Sequence, residues 1–287
     1  MSNTIKTFWN ASMTNKLLLV NAVVFVLIRF VTGVTGGNSL LGTNSLYLAT
    51  SADLSVLIMR PWSVITHMFA HDQLWHFLIN MMWLYFVGQM FERQFGTRKT
   101  LSTYLVGGIA GFLAYFILGN LIGLGGQAVG ASAAISGIFI AYATYNPNQK
   151  VNLVFLGPVR IMYIAIFFLV MDFLKLGGHN TGGHIGHLGG AAYGFLMATQ
   201  LKKRVDLNKW MEKLLDKLTT MFKPGDRFTV IKNDAASGRG KTDEQYNYEK
   251  KQKSKRMDQI LDKIGRGGYD SLTKDEKEFL FRHGKDI

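Results

Sequence analysis

Ser132 sits in Gly130-Ala131-Ser132-Ala133, a lone hydroxyl in a run of small apolar residues. A serine hydroxyl is a weak nucleophile until a neighbouring base takes its proton. His187, in His187-Leu188-Gly189-Gly190-Ala191-Ala192-Tyr193-Gly194, is a base in similar surroundings. His76 and Asn80 are four residues apart, so on a helix they share a face and offer two donors to an oxygen that gains negative charge. Each reading has a plain alternative. An isolated serine in an apolar helix is more often a small packing residue, and a His–Asn pair often just joins two helices. His184 competes with His187 as the base, although it lacks a glycine three residues on. His67, His71, His76, His184 and His187 are together a legitimate zinc-ligand set. Against zinc stand the absence of HExxH and of cysteine, and the expectation that no intramembrane acid lies near the cluster; His67 and His71 fit better as hydrogen-bonding residues at a loop entry.

These residues need helices to carry them. Six apolar segments approach the roughly 20 residues needed to span a bilayer: 16–35, 73–91, 101–121, 130–145, 158–176 and 184–200. His76 and Asn80 fall on the second, Ser132 on the fourth and His187 on the sixth. Polar and ionisable groups at such positions are costly in hydrocarbon and mark function by default. The fourth segment is short, rising only about 22 Å against a hydrocarbon core of about 30 Å. Gly123, Gly125, Gly126 and Gly130 precede it, so Ser132 is expected at a helix start that opens on a polar cavity facing outward. Gly186, Gly190 and Gly194 form a small-residue face on the sixth segment, which lets the Ser132 helix approach closely. The 36–72 connection is long, and Leu46-Tyr47-Leu48 and Pro61-Trp62 make it amphipathic enough for a membrane interface.

Charge divides the chain. Of 287 residues 48% are hydrophobic and the net charge is +13, yet residues 1–200 hold only ten Lys/Arg and four acids, Asp53, Asp72, Glu92 and Asp172. The rest is a water-soluble tail. Without cysteine there is no disulfide framework and no thiolate metal site. The basic excess fits anionic lipid headgroups rather than nucleic acid, and no cleavable leader is evident. Lys6, Lys16, Arg93, Arg98, Lys99, Lys150, Arg160, Lys202, Lys203 and Arg204 flank alternate ends of the segments, which places both termini in the cytoplasm. The expected division is a cytoplasmic N-terminus (1–15), a six-helix membrane domain (16–200) and a cytoplasmic tail (201–287). In the tail, 207–222 reads as a basic amphipathic helix on the membrane surface or against the tail. Residues 232–255 read as a flexible linker and 256–284 as short helices, with Thr273 and Glu276 at capping-box spacing.

Over about residues 60–200 the ordered motifs resemble those of the rhomboid family of intramembrane serine proteases, in its bacterial six-helix form. They are His67-x3-His71-x4-His76-x3-Asn80 with Gly88 and Glu92, Gly130-x-Ser132, and Gly186-His187-x2-Gly190-x3-Gly194. The resemblance implies an all-α integral membrane protein in a bacterial cytoplasmic membrane, a six-helix bundle with a soluble, partly helical tail. It implies an endopeptidase for transmembrane protein substrates, with Ser132 as nucleophile and His187 as general base in a dyad without a carboxylate. His76, Asn80 and the Ser132 amide would hold the oxyanion, with no cofactor and no metal. The alternative is a weak or inactive relative that binds membrane proteins without cutting them. The chain departs from the family pattern at Ala133 (a glycine there), Ser136 (often an aromatic stacked on the base) and Trp62-Ser63 (commonly Trp-Arg), without losing a catalytic atom.

Overall fold

A computed structural model describes residues 11–34, 47–222 and 243–283. The chain divides into two units, Met1–Pro224 and Gly225–Ile287.

The first unit is helical. It comprises α1 (Met13–Val34), β1 (Thr50–Ser51), the short α2 (Leu54–Met59) and α3 (Ser63–Thr66), and a 3-10 turn (His67–Phe69). These are followed by α4 (Leu74–Leu121), β2 (Gln127–Ala128), α5 (Ser132–Tyr145), β3 (Lys150–Leu153) and β4 (Gly157–Arg160). Then come α6 (Ile161–Leu174), α7 (Thr181–Lys202) and α8 (Lys209–Phe222). Two antiparallel pairs, β1 with β2 and β3 with β4, are the strand pairings among the described residues. The 48-residue α4 is two helices, because Gly96 breaks it with φ 81° and ψ 169°. Its arms, 74–95 and 97–121, match the second and third apolar segments of the sequence. Among the described residues α1 and α4 are long and apolar enough to cross a membrane, while α5 and α6 are shorter apolar helices.

Helix α5 is the axis of the bundle. It is apolar on all sides, as a fully enclosed helix must be, and eleven of its 14 residues are buried. Small residues make that enclosure possible. A Cβ added at Gly137 would lie 3.2 Å from the Gly107 Cα, and one at Gly190 would fall on the Ala133 carbonyl. One at Gly194 would fall on the Gly137 carbonyl in the same way. Backbones this close exchange dispersion contacts that larger side chains would prevent.

The loop and tail depart from the sequence expectation in three places. Part of the 36–72 connection is structured: α2, α3 and the 3-10 turn occupy it, and β1 ties it to β2 just ahead of α5. Leu46 lies outside the described residues. Between α5 and α6 the chain forms a hairpin with Lys150 opposite Arg160, and Val154 and Phe155 at its tip are 92% and 96% exposed. Helix α8, expected on the membrane surface or against the tail, docks on the start of the 97–121 arm. Buried Asn208 donates to Ser102 Oγ (2.9 Å) and Thr103 Oγ1 (2.8 Å), and Lys99 pairs with Asp206 (2.5 Å) and Glu212 (2.6 Å). The residues that make 207–222 look amphipathic are partly spent on the bundle.

In the second unit, α9 (Asp243–Gly267), a 3-10 turn (Tyr269–Ser271) and α10 (Lys274–His283) close over Met257, Ile260 and Leu272. The stretch read as a linker over 232–255 is therefore helical from Asp243 onward. Its Glu, Gln and Lys residues are polar, but they are also good helix formers. Residues 232–242 lie outside the described residues.

Candidate active site

Ser132 is the first residue of α5, and the chain reaches it through a tightly built turn. Gly130 has φ 126°, a backbone open to glycine, and a Cβ there would lie 2.7 Å from His76 Cε1. Glycine thus lets the His76 ring close over the turn beside Ser132. The turn is also tied to the entry segment: Gly130 N–H donates to the His67 carbonyl (2.9 Å) and Ala131 N–H to His71 Nε2 (3.3 Å). His67 Nδ1 in turn donates to the Ser63 carbonyl at 2.9 Å. His67 and His71 thus act as braces of the loop, with both side chains buried.

His187 projects from α7 and its Nε2 accepts from Ser132 Oγ at 2.7 Å. The glycine face explains the approach. Gly186 and Gly190 let α7 lie against Ala133 and the Gly111 backbone, which brings the α5 start within one hydrogen bond of the α7 imidazole. Ala133 fits the same packing. Its methyl points at Gly111 and Gly186, where an added Cβ on Gly111 would lie 2.5 Å from it, and it is not among the residues lining the main cavity.

That cavity, of about 360 Å³, is lined by Ser132, His187, His184, Asp172, His76 and Asn80 on its polar side. Trp83, Phe139, Phe167 and Phe168 supply much of the apolar side, and Ser136 lines it too. The four residues expected to do chemistry therefore share one cavity. Asn80, buried, donates through Nδ2 to the His76 carbonyl at 2.9 Å, one turn back on its helix. His76 packs edge-on to His71 with ring centroids 5.3 Å apart.

One expectation fails. The base was expected to have no carboxylate near it, yet Asp172 Oδ1 on α6 accepts from His187 Nδ1 at 2.9 Å and from His184 Nδ1 at 2.7 Å. The three ligand atoms lie within 4.8 Å of one another, close enough to hold a cation, but as arranged they are spent on hydrogen bonds. His184, the rival base, faces the carboxylate through its Nδ1 atom. The sequence separation hides this arrangement: Asp172 lies 12 residues before His184, across the turn between α6 and α7. A signal was present. Asp172 is the one charged residue in Met162–Leu174, and an acid there is functional by default.

Gly88 and Glu92, quoted above only as motif positions, have a supporting task. Glu92 accepts from Met13 N–H (2.6 Å), Thr14 N–H (2.8 Å) and Thr14 Oγ1 (2.7 Å), capping the start of α1. A Cβ at Gly88 would lie 2.9 Å from Thr14 Cγ2, so the glycine admits the capped turn.

Comparison with known proteins agrees with this layout. The family model of the rhomboid domain matches residues 59–204, half of the chain. That of a family of unknown function (DUF6576) matches residues 241–286. The mitochondrial RHOMBOID-like protein 12 of Arabidopsis thaliana is 31% identical over 160 residues, 50% of this chain and 47% of its own length. Rhomboid-like protease 3 of Toxoplasma gondii is 31% identical, over 53% of this chain and 57% of its own. Rhomboid protease GluP of Bacillus subtilis is 28% identical, over 61% of this chain and 33% of its own. The chain thus spans about half the length, or less, of these relatives.

Proposed function

This chain belongs to the rhomboid family, whose domain makes it an all-α integral membrane protein, and we propose that it is an intramembrane serine endopeptidase using Ser132 and His187. The observation that carries this reading is the 2.7 Å contact between Ser132 Oγ and His187 Nε2 at the polar end of a cavity with aromatic walls. Curated relatives named as proteases support the class of activity.

In this mechanism an apolar substrate segment enters between the 74–95 arm of α4 and α6, where Trp83, Phe167 and Phe168 line the cavity. Ser132 Oγ attacks a peptide carbonyl carbon as His187 Nε2 takes the hydroxyl proton. Negative charge on the carbonyl oxygen meets the Ser132 amide and the N-terminus of α5, with His76 and Asn80 as side-chain donors. His187 then protonates the departing amine, leaving an ester on Ser132. Water enters the cavity, gives a proton to His187 and hydrolyses the ester. The substrates are transmembrane proteins, and the family resemblance implies small residues near the cleaved bond, which are easiest to admit beside α5. Both termini face the cytoplasm in this reading, because Arg93, Arg98, Lys99, Lys202 and Lys203 lie in the segments between and after the apolar spans that share one side by alternation.

The test is cleavage of a model transmembrane substrate by the purified full chain. Ser132→Ala is expected to abolish cleavage and labelling by a fluorophosphonate, and His187→Ala to abolish the labelling. Cleavage that persists in Ser132→Ala would remove the serine from the mechanism. An unlabelled wild-type chain that still binds the substrate would turn the reading to a non-cleaving binder.

A further inference from the structure

Asp172 stands outside the two-residue mechanism, yet it touches the base that the mechanism uses. A neutral imidazole carries its proton on either nitrogen, and only one of the two forms can accept the serine proton at Nε2. Nothing in a Ser–His pair alone selects that form. The carboxylate does: Asp172 Oδ1 accepts from His187 Nδ1 at 2.9 Å, which requires the proton to be on Nδ1 and leaves the Nε2 lone pair facing Ser132 Oγ at 2.7 Å.

We propose that Asp172 is a positioning residue, whose carboxylate fixes the tautomer and ring orientation of His187, so that Ser132, His187 and Asp172 act as one hydrogen-bonded chain. This rests on the Ser132–His187 reading above and extends it. During attack the serine proton passes to Nε2, and the ring becomes an imidazolium that keeps its Nδ1 proton. Asp172 stays ionised and offsets the new positive charge, and the Nε2 proton later leaves with the amine.

Two further observations support the role. The His187 ring is held by hydrogen bonds at both nitrogens, while its ring contact among the described residues is edge-on to His184, with centroids 5.7 Å apart. The position one turn along α5 from Ser132 is Ser136, too small to stack on an imidazole. Orientation must then come from the hydrogen bonds. His184 completes the device: its Nδ1 donates to the same Oδ1 at 2.7 Å, so the carboxylate is itself held from a second side. A metal-bound or catalytic histidine is commonly oriented in this way by a partner on its other nitrogen.

Asp172→Asn, Asp172→Glu and Ser132→Ala are compared with wild type on a model transmembrane substrate, with kcat, KM and the thermal midpoint all measured. The amide of Asn can donate as well as accept and so stabilises the wrong tautomer. For Asp172→Asn we expect kcat to fall on the order of 10²-fold while KM changes less than about twofold, with Asp172→Glu recovering part of the loss. A merely structural role would move KM and the midpoint together and would not single out kcat; that pattern overturns the proposal. Unchanged kcat in Asp172→Asn, with Ser132→Ala inactive, also overturns it and leaves the serine–histidine pair standing. Cleavage by Ser132→Ala removes both. Wild-type activity is expected to survive EDTA, and loss in EDTA with recovery on added zinc would replace the hydrogen bonds by a metal at the same three side chains.

Discussion

Helices α5 and α6 are each 14 residues long, apolar, and carry one oxygen of the proposed relay, yet they are held in opposite ways. Eleven residues of α5 are buried, against Ile161 and Ala165 alone on α6. Tyr163, Ile166, Phe167, Val170, Phe173 and Leu174 of α6 are exposed. In a bilayer that exposure costs little, because lipid is as apolar as the side chains, and for the same reason no hydrophobic force presses α6 onto the bundle. Helix α5 is kept in place by backbone approach through glycines. Helix α6 leans on Trp83–Phe168 and Phe139–Phe168 edge contacts, with centroids 4.8 and 6.0 Å apart, and on the Asp172 hydrogen bonds. The proposed nucleophile and base thus belong to the closely packed part, while the carboxylate proposed to orient the base rides on the exposed helix that borders the proposed substrate entry.

The comparison breaks most visibly at the glycines. Gly190→Leu would drive a side chain into the Ala133 carbonyl, and the overpacking should cost roughly 3 kcal/mol or more. The expected outcome is a lowered thermal midpoint, loss of fluorophosphonate labelling and poor recovery of folded protein. A Gly190→Leu chain that labels normally would mean α5 and α7 are not locked together.

A smaller effect is expected at α6. Phe168→Ala removes the two edge contacts that join α6 to other helices, besides one to Phe167 within α6, a loss of about 1 kcal/mol or more. The midpoint should move little and labelling by a small fluorophosphonate should stay near wild type. With the wall loosened, kcat/KM for a transmembrane substrate should rise, by about fivefold for each 1 kcal/mol of contact energy that had opposed entry. A fall instead would sharpen the comparison differently, since it would mean α6 must stay docked for Asp172 to hold His187.

The same contrast decides what could be read from the sequence. The Ser132 and His187 contact was legible because both sit on the buried elements, where function and packing leave a spacing, as in Gly186, Gly190 and Gly194. The His76–Asn80 face was legible from helical period alone. Asp172 was missed because α6 has an apolar composition with no packing stripe: Phe167, Phe168 and Leu169 give no face, so the direction of one acid in it could not be inferred. Gly130 was read only as part of the glycine run and serine motif ahead of the fourth segment, and it leaves space for the His76 ring. The division at Gly96 was legible as a break between apolar segments flanked by Arg93 and Arg98. Glu92 as the cap of α1 was not, because its partners lie 78 and 79 residues away.

The smallest effect lies in the second unit, at an exposed cluster of contacts. The sequence placed Thr273 and Glu276 as a capping box, and the two do exchange hydrogen bonds, Thr273 N–H to Glu276 Oε2 at 2.7 Å and Glu276 N–H to Thr273 Oγ1 at 3.4 Å. Lys263 Nζ adds two bonds to the same carboxylate, at 3.0 and 2.9 Å. Lys263 first, and the Thr273 amide second, hold the Glu276 carboxyl down to about 2 from an ordinary 4.5. A depressed carboxyl stabilises the fold above its unfolded value, so the contribution is complete above pH about 4.5 and fades as pH falls towards about 2. Glu276→Gln can keep the capping acceptor while deleting the charge and one of the two oxygens that accept from Lys263, and the exposed setting keeps the effect slight and salt-sensitive. In the full chain, amides of the first turn of α10 should exchange slightly faster in Glu276→Gln than in wild type at pH 7. That gap should narrow below pH 4.5 and close near pH 2. A gap that stayed constant through that range would assign it to the cap geometry, and would leave charge with no part in holding the start of α10.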